Sequence, residues 1–190
     1  MRTRFFRFAA IGVMLVALAL SGCADGTRVS ALPTITSYYY PTLVWHATRD
    51  GGMRTVIHGN PFTAQQAETN KLILAQLKLP TRFDAAPFQL LPPESPTRGY
   101  RLVLIFNPNP RWIGFQKACG DLSDIAIAPA ADAIALHASF CIGTRAITEF
   151  DLVDVVSGPD DPAFAQMMRN AIDELLPAYG VGKQFAPSGI

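Results

Sequence analysis

Three arginines, at positions 2, 4 and 7, stand before a run of apolar and small residues, positions 8–20, that ends in Leu20-Ser21-Gly22-Cys23. A helix needs about 20 apolar residues to span a bilayer, so this run is too short to do so. A positive start, a short apolar core and small residues at its end mark a secretory leader. The pattern constrains folding because it removes residues 1–22 from the folded domain. What remains is 190 − 22 = 168 residues, one domain's worth of chain. Ser21-Gly22 matches the small-x-small site of an ordinary signal peptidase only loosely.

The Leu-Ser-Gly-Cys tetrad at the end of such a core resembles the lipobox of bacterial lipoproteins, a resemblance confined to residues 1–25. It implies a cut before Cys23, acylation of the Cys23 thiol, and a domain tethered to a membrane by lipid. In lipoproteins of Gram-negative bacteria the residue after the cysteine influences sorting, and aspartate there favours the inner membrane. Ala24 holds that place here and Asp25 comes one later, which implies the periplasmic face of the outer membrane. Residues 23–32 lack apolar periodicity and read as the lipidated tether. Residues 33–179 read as a single periplasmic domain, and 180–190 as a loose tail.

Export changes the charge arithmetic. The leader carries three arginines and no acid, so the net charge falls from +1 to 1 − 3 = −2. No basic field is left to attract nucleic acid or anionic lipid, so neither is an expected ligand. Cysteine parity points the same way. Acylation consumes the first of three thiols, leaving Cys119 and Cys141 as a pair for an oxidising compartment. A disulfide between them is expected. A two-cysteine metal site is the rival, but only His137 lies nearby and no other ligand stands at metal spacing.

Periodicity then orders the domain. Residues 42–47 read as extended, Asp50-Gly51-Gly52 as a hairpin turn, and residues 53–58 as the return strand. Thr63 with Gln66 matches a capping box for a helix to about residue 78, with Ala67, Leu74 and Leu77 on one face and Pro80 as its stop. Residues 83–96 are proline-rich and read as an irregular connection. Residues 100–106 read as a buried strand, 111–123 as a loop. Residues 133–141 and 145–156 form the clearest hairpin, with Ile134, Leu136, Ala138 and Phe140 alternating onto one face. Asp161 and Pro162 are placed to start a last helix, with Phe164, Met168, Ala171, Ile172 and Leu175 as its apolar stripe. Strands and helices segregate in blocks, so the expected class is α+β: a mixed, mostly antiparallel sheet of about five strands with two helices on one face.

Chemistry is sparse in this pattern. There is no Gly-x-Ser-x-Gly nucleophile elbow, glycine-rich phosphate loop or calcium loop. His46, His58 and His137 all fall in expected strands, as half-buried sheet residues. Asp160 and Asp161 are accounted for by capping. Glu149, Asp151 and Asp154 read as a solvated strand face. Neither catalytic residues, a metal site nor a cofactor are expected. The suggestive feature is aromatic: Tyr38-Tyr39-Tyr40 with Trp45, and Trp112 beside Phe115. Three successive tyrosines on extended chain cannot all point inward, so Tyr38, Tyr39, Tyr40, Trp45 and Trp112 form the candidate binding surface. The expected function is a non-catalytic interaction or accessory module with an envelope protein partner. Its alternative is a carrier holding a small hydrophobic ligand in a groove between sheet and helices.

Overall fold

The computed structural model describes residues 29–95 and 98–180; the leader, Cys23 and the tail after residue 180 lie outside them. The strands are β1 (Val29–Ser30), β2 (Thr34–Ile35), β3 (Met53–His58), β4 (Phe88–Leu91), β5 (Tyr100–Phe106), β6 (Pro108–Asn109), β7 (Ala126–Ile127), β8 (Ala133–Ile142) and β9 (Arg145–Val155). The helices are α1 (Thr42–Thr48), α2 (Gln66–Gln76) and α3 (Pro162–Leu175). The main sheet runs β1-β9-β8-β5-β3-β4, with β2 also on β9, and β6 pairs with β7 beside it. β3 is parallel to β4 and β5, and the other pairings are antiparallel. The class is α+β with a mixed sheet.

The β8–β9 hairpin carries the architecture. Its alternation puts Ile134, Leu136, Ala138 and Phe140 opposite Asp154, Leu152, Phe150 and Thr148, facing the helices. A register shift beside Phe140/Cys141 leaves Ile147 as an extra residue on β9, a β-bulge. α3 lies across this face. Its cap is built as the sequence dictates: the Asp161 carboxylate accepts N–H bonds from Ala163 at 2.9 Å and Ser157 at 2.8 Å, and Pro162 opens the first turn. Phe164, Met167, Met168, Ala171, Ile172 and Leu175 are all buried in the core. Each such side chain contributes roughly 1.5–3 kcal/mol through burial, alanine less. The last carbonyls of α3 are taken by Arg82, which donates to Asp173 and Leu176, and by the Thr148 hydroxyl on Leu175.

The other face is covered by a strap, residues 107–128. Val56, Val103, Ile105 and Cys141 of the sheet pack there against Ala118, Cys119, Leu122 and Ile125. Cys119 and Cys141 are joined by the expected disulfide, with Cα atoms 5.7 Å apart. Arg101, almost fully buried, donates to the Cys119 carbonyl at 2.6 Å and the Gly143 carbonyl at 2.9 Å, so one guanidinium ties the strap to the hairpin turn.

Several expectations are corrected. Residues 42–48 form α1, not a strand. Val44 and Ala47, three apart, are buried on the sheet, and this burial overrides the strand preference of Val and Trp. Asp50-Gly51-Gly52 is therefore a helix exit, not a hairpin. Gly52 stands at φ 135°, and a Cβ there would collide with the Pro87 carbonyl. Thr63 caps nothing; α2 starts after Gln65, and the Gln66 amide donates instead to Gly59 and Asn70. Ala67 is exposed, while Thr69, Ile73 and Leu77 face the core. The proline-rich connection contains β4. Residues 29–31, read as tether, lie along β9: Val29 pairs with Val153, and the Ala31 N–H bonds the Asp151 carbonyl.

Candidate functional site

Two features stand out, one buried and one open. The buried one follows from the hairpin register. His137 lies opposite Asp151 and Ser139 opposite Glu149, so four polar side chains share the strap face of the sheet. His137 Nδ1 donates to Asp151 Oδ1 at 2.7 Å. Its Nε2 is 3.1 Å from Ser139 Oγ and 3.7 Å from Glu149 Oε1. Ser139 Oγ donates to Glu149 Oε1 at 3.1 Å, and the Gln116 backbone N–H, from the strap, adds a bond of 3.0 Å to the same oxygen. Burial alone would lower the His137 pKa, but its bonds to Asp151 and Glu149 and their charges outweigh burial and raise it to about 9.

Serine, histidine and aspartate in this order are the parts of a nucleophile, base and orienting acid. The electrostatics work against that use. An imidazole with a pKa of about 9 already carries its proton near neutrality and cannot accept the one from Ser139. His137 is 1% and Ser139 0% exposed, under the strap. Together they form a satisfied buried network that fixes the strap on β9. Gln116 completes it: its side chain accepts from the Ala146 N–H at 2.7 Å. Glu149 is thus 5% exposed rather than solvated. His137 is fully buried, His46 is exposed on α1, and only His58, half-buried at the end of β3, matches the expectation for the histidines. Among the described residues no group of three or more His, Cys, Asp or Glu is placed to hold a metal ion.

The open feature is a groove of about 590 Å³ at the hairpin turn. Tyr38 and Tyr40 form its walls; Leu43, Ile142 and Ile147 its apolar lining; Arg145 stands at the rim. The Arg145 guanidinium lies 5.0 Å over the Tyr38 ring, within cation–π range. The tyrosine triplet splits by alternation. Tyr38 and Tyr40 are 59% and 61% exposed, whereas Tyr39 is 1% exposed and donates its hydroxyl to the Pro177 carbonyl at 2.7 Å. Tyr39 therefore belongs to the core and not to a binding surface. Trp45 is exposed on α1, beside His46 and under Arg49, and is not part of the groove lining. Trp112 and Phe115, also exposed, belong to the strap on the opposite face of the sheet. Of the expected surface, then, only Tyr38 and Tyr40 come together. Sequence reading missed Leu43, three residues on from Tyr40, and Ile142, Arg145 and Ile147, which the hairpin turn brings to them across more than a hundred residues of chain. Comparison with protein-family models, with curated proteins and with solved structures finds no match.

Proposed function

We propose that this chain is a lipoprotein anchored through Cys23 at the periplasmic face of the outer membrane, where its domain serves as a non-catalytic interaction module of the cell envelope. The anchor rests on the leader and the Leu-Ser-Gly-Cys tetrad. The observation that carries the interaction reading is a contrast in exposure. Phe164, Met167 and Met168, which would line a carrier's groove between sheet and helices, are each 0% exposed, while Tyr38 and Tyr40 stand largely open elsewhere on the same domain. A carrier of a hydrophobic ligand needs a concave apolar cavity; here that space is filled by side chains. The protonated state of His137 likewise favours a non-catalytic role over hydrolysis.

Metabolic labelling with an alkynyl palmitate analogue, followed by membrane fractionation, tests the anchor. Labelled protein should sediment with outer membranes, and Cys23→Ser should abolish the label and leave an unprocessed precursor outside the outer-membrane fraction. Equal labelling of the two chains would overturn the anchor.

A further inference from the structure

We infer that the groove at the hairpin turn docks an extended acidic peptide segment of an envelope protein, with a carboxylate on Arg145 and a neighbouring apolar side chain on Leu43, Ile142 and Ile147. This rests on the interaction reading above and names its partner's chemistry. The argument begins with charge. Arg145 is the cation of the groove, and among the described residues no carboxylate lines it. Stacking on Tyr38 holds the guanidinium by its face and leaves its N–H edge for an incoming acid. That edge matches a carboxylate bidentately, with charge-assisted bonds roughly twice as strong as neutral ones.

The rest of the lining selects among anions. Half-buried Leu43 and Ile142, backed by buried Ile147, form an apolar floor beside the cation, which suits a leucine- or phenylalanine-sized group next to an acid. A glycan would bring many hydroxyl donors, and the side-chain acceptors lining the groove are only the hydroxyls of Thr144 and the two tyrosines, with no Asp, Glu, Asn or Gln among them. Tyr38 and Tyr40 are rigid amphipathic walls of the kind enriched where peptides bind. Position argues against a lipid headgroup. The chain enters the domain at Val29, paired with Val153, while Arg145 stands eight residues away along β9. At about 3.3 Å per residue this is roughly 26 Å, so the groove lies at the end of the hairpin remote from the tether.

The test is peptide display on the full chain, purified from detergent-solubilised whole cells. A random heptapeptide library is selected in parallel on the wild type and on Arg145→Glu, an exposed substitution whose fold is checked by an unchanged melting temperature. The wild type should enrich peptides that place Asp or Glu beside Leu, Ile or Phe. Arg145→Glu should bind those peptides at least about tenfold more weakly, because it sets a like charge against the acidic residue. Tyr40→Ala should weaken them without removing the acidic preference. Enrichment without acidic residues, equal binding to both chains, or no enrichment at all overturns the proposal. So does Arg145-dependent binding of chitin oligosaccharides or phosphatidylglycerol vesicles where peptides fail. Gly180 packs against the Tyr39 backbone, so a chain ending at residue 180 is selected alongside. If only that shortened chain enriches peptides, the occupant is the segment 181–190 and the proposal fails. Display does not depend on acylation, so loss of the anchor reading would leave its outcome intact.

Discussion

Raising the pH should unlatch the strap through a single histidine. Unfolded, an imidazole titrates near 6.5; in the fold, His137 holds its proton up to about pH 9. A raised folded pKa gives stabilisation that is complete below 6.5, declines between 6.5 and 9, and is gone above. The interval, about 2.5 pH units at 1.36 kcal/mol each, corresponds to roughly 3 kcal/mol. That is a large share of the ~5–15 kcal/mol that holds a domain of this kind together. The groups facing the ring are Asp151 and Glu149 on β9 and Ser139 on β8; the Gln116 N–H of the strap holds Glu149, and Arg101 ties the same strap through the Cys119 carbonyl. Burial also raises the Tyr39 phenol above its ordinary value, and its loss of stability begins only above about pH 10. Urea denaturation at pH 6.5, 7.5, 8.5 and 9 should therefore show stability falling by about 1 kcal/mol per pH unit. Imidazole ¹⁵N spectra should give His137 a midpoint near 9. Flat or rising stability across this range, or a midpoint at or below 6.5, would refute the charge-paired network.

Three further outcomes follow from the packing. Phe164→Ala should cost about 3–5 kcal/mol and lower the melting temperature by roughly 6–20 °C, whereas exposed Asp160→Ala should leave it nearly unchanged in the same calorimetric scan. Replacing Cys119 and Cys141 together by serine opens a crosslink across 22 residues, and should cost about 3 kcal/mol in urea and speed hydrogen exchange in the strap. Tyr39→Phe leaves the Pro177 carbonyl without its donor, and should cost about 1 kcal/mol by denaturant midpoint while peptide binding at the groove is preserved.

What could be read from the chain was local or forced. The β8–β9 hairpin and α3 declare themselves because each carries one uninterrupted period and, for α3, its own cap in Asp161 and Pro162. The disulfide followed from parity. α1 was hidden because seven residues containing Val44 and Trp45 look extended until the sheet beneath them is known. β4 was hidden because four residues between prolines become a strand only by parallel pairing with β3. The His137 network depends on a register that a bulge shifts, so Glu149 and Asp151 could be placed on one face but not under a strap. The groove joins residues 38–43 to residues 142–147, and no local signal connects them.

Whether the hairpin end meets a protein in the envelope can be read by photo-crosslinking in intact cells. A benzophenone amino acid replaces Tyr40 in the full chain, with Glu174, exposed on α3, as the comparison site. Light should join position 40 to a discrete protein adduct in the membrane fraction, and the adduct should vanish when Arg145→Glu is introduced. No adduct at position 40, the same adduct from position 174, or an adduct indifferent to Arg145→Glu would contradict the reading of this groove as the place where the tethered domain docks its partner.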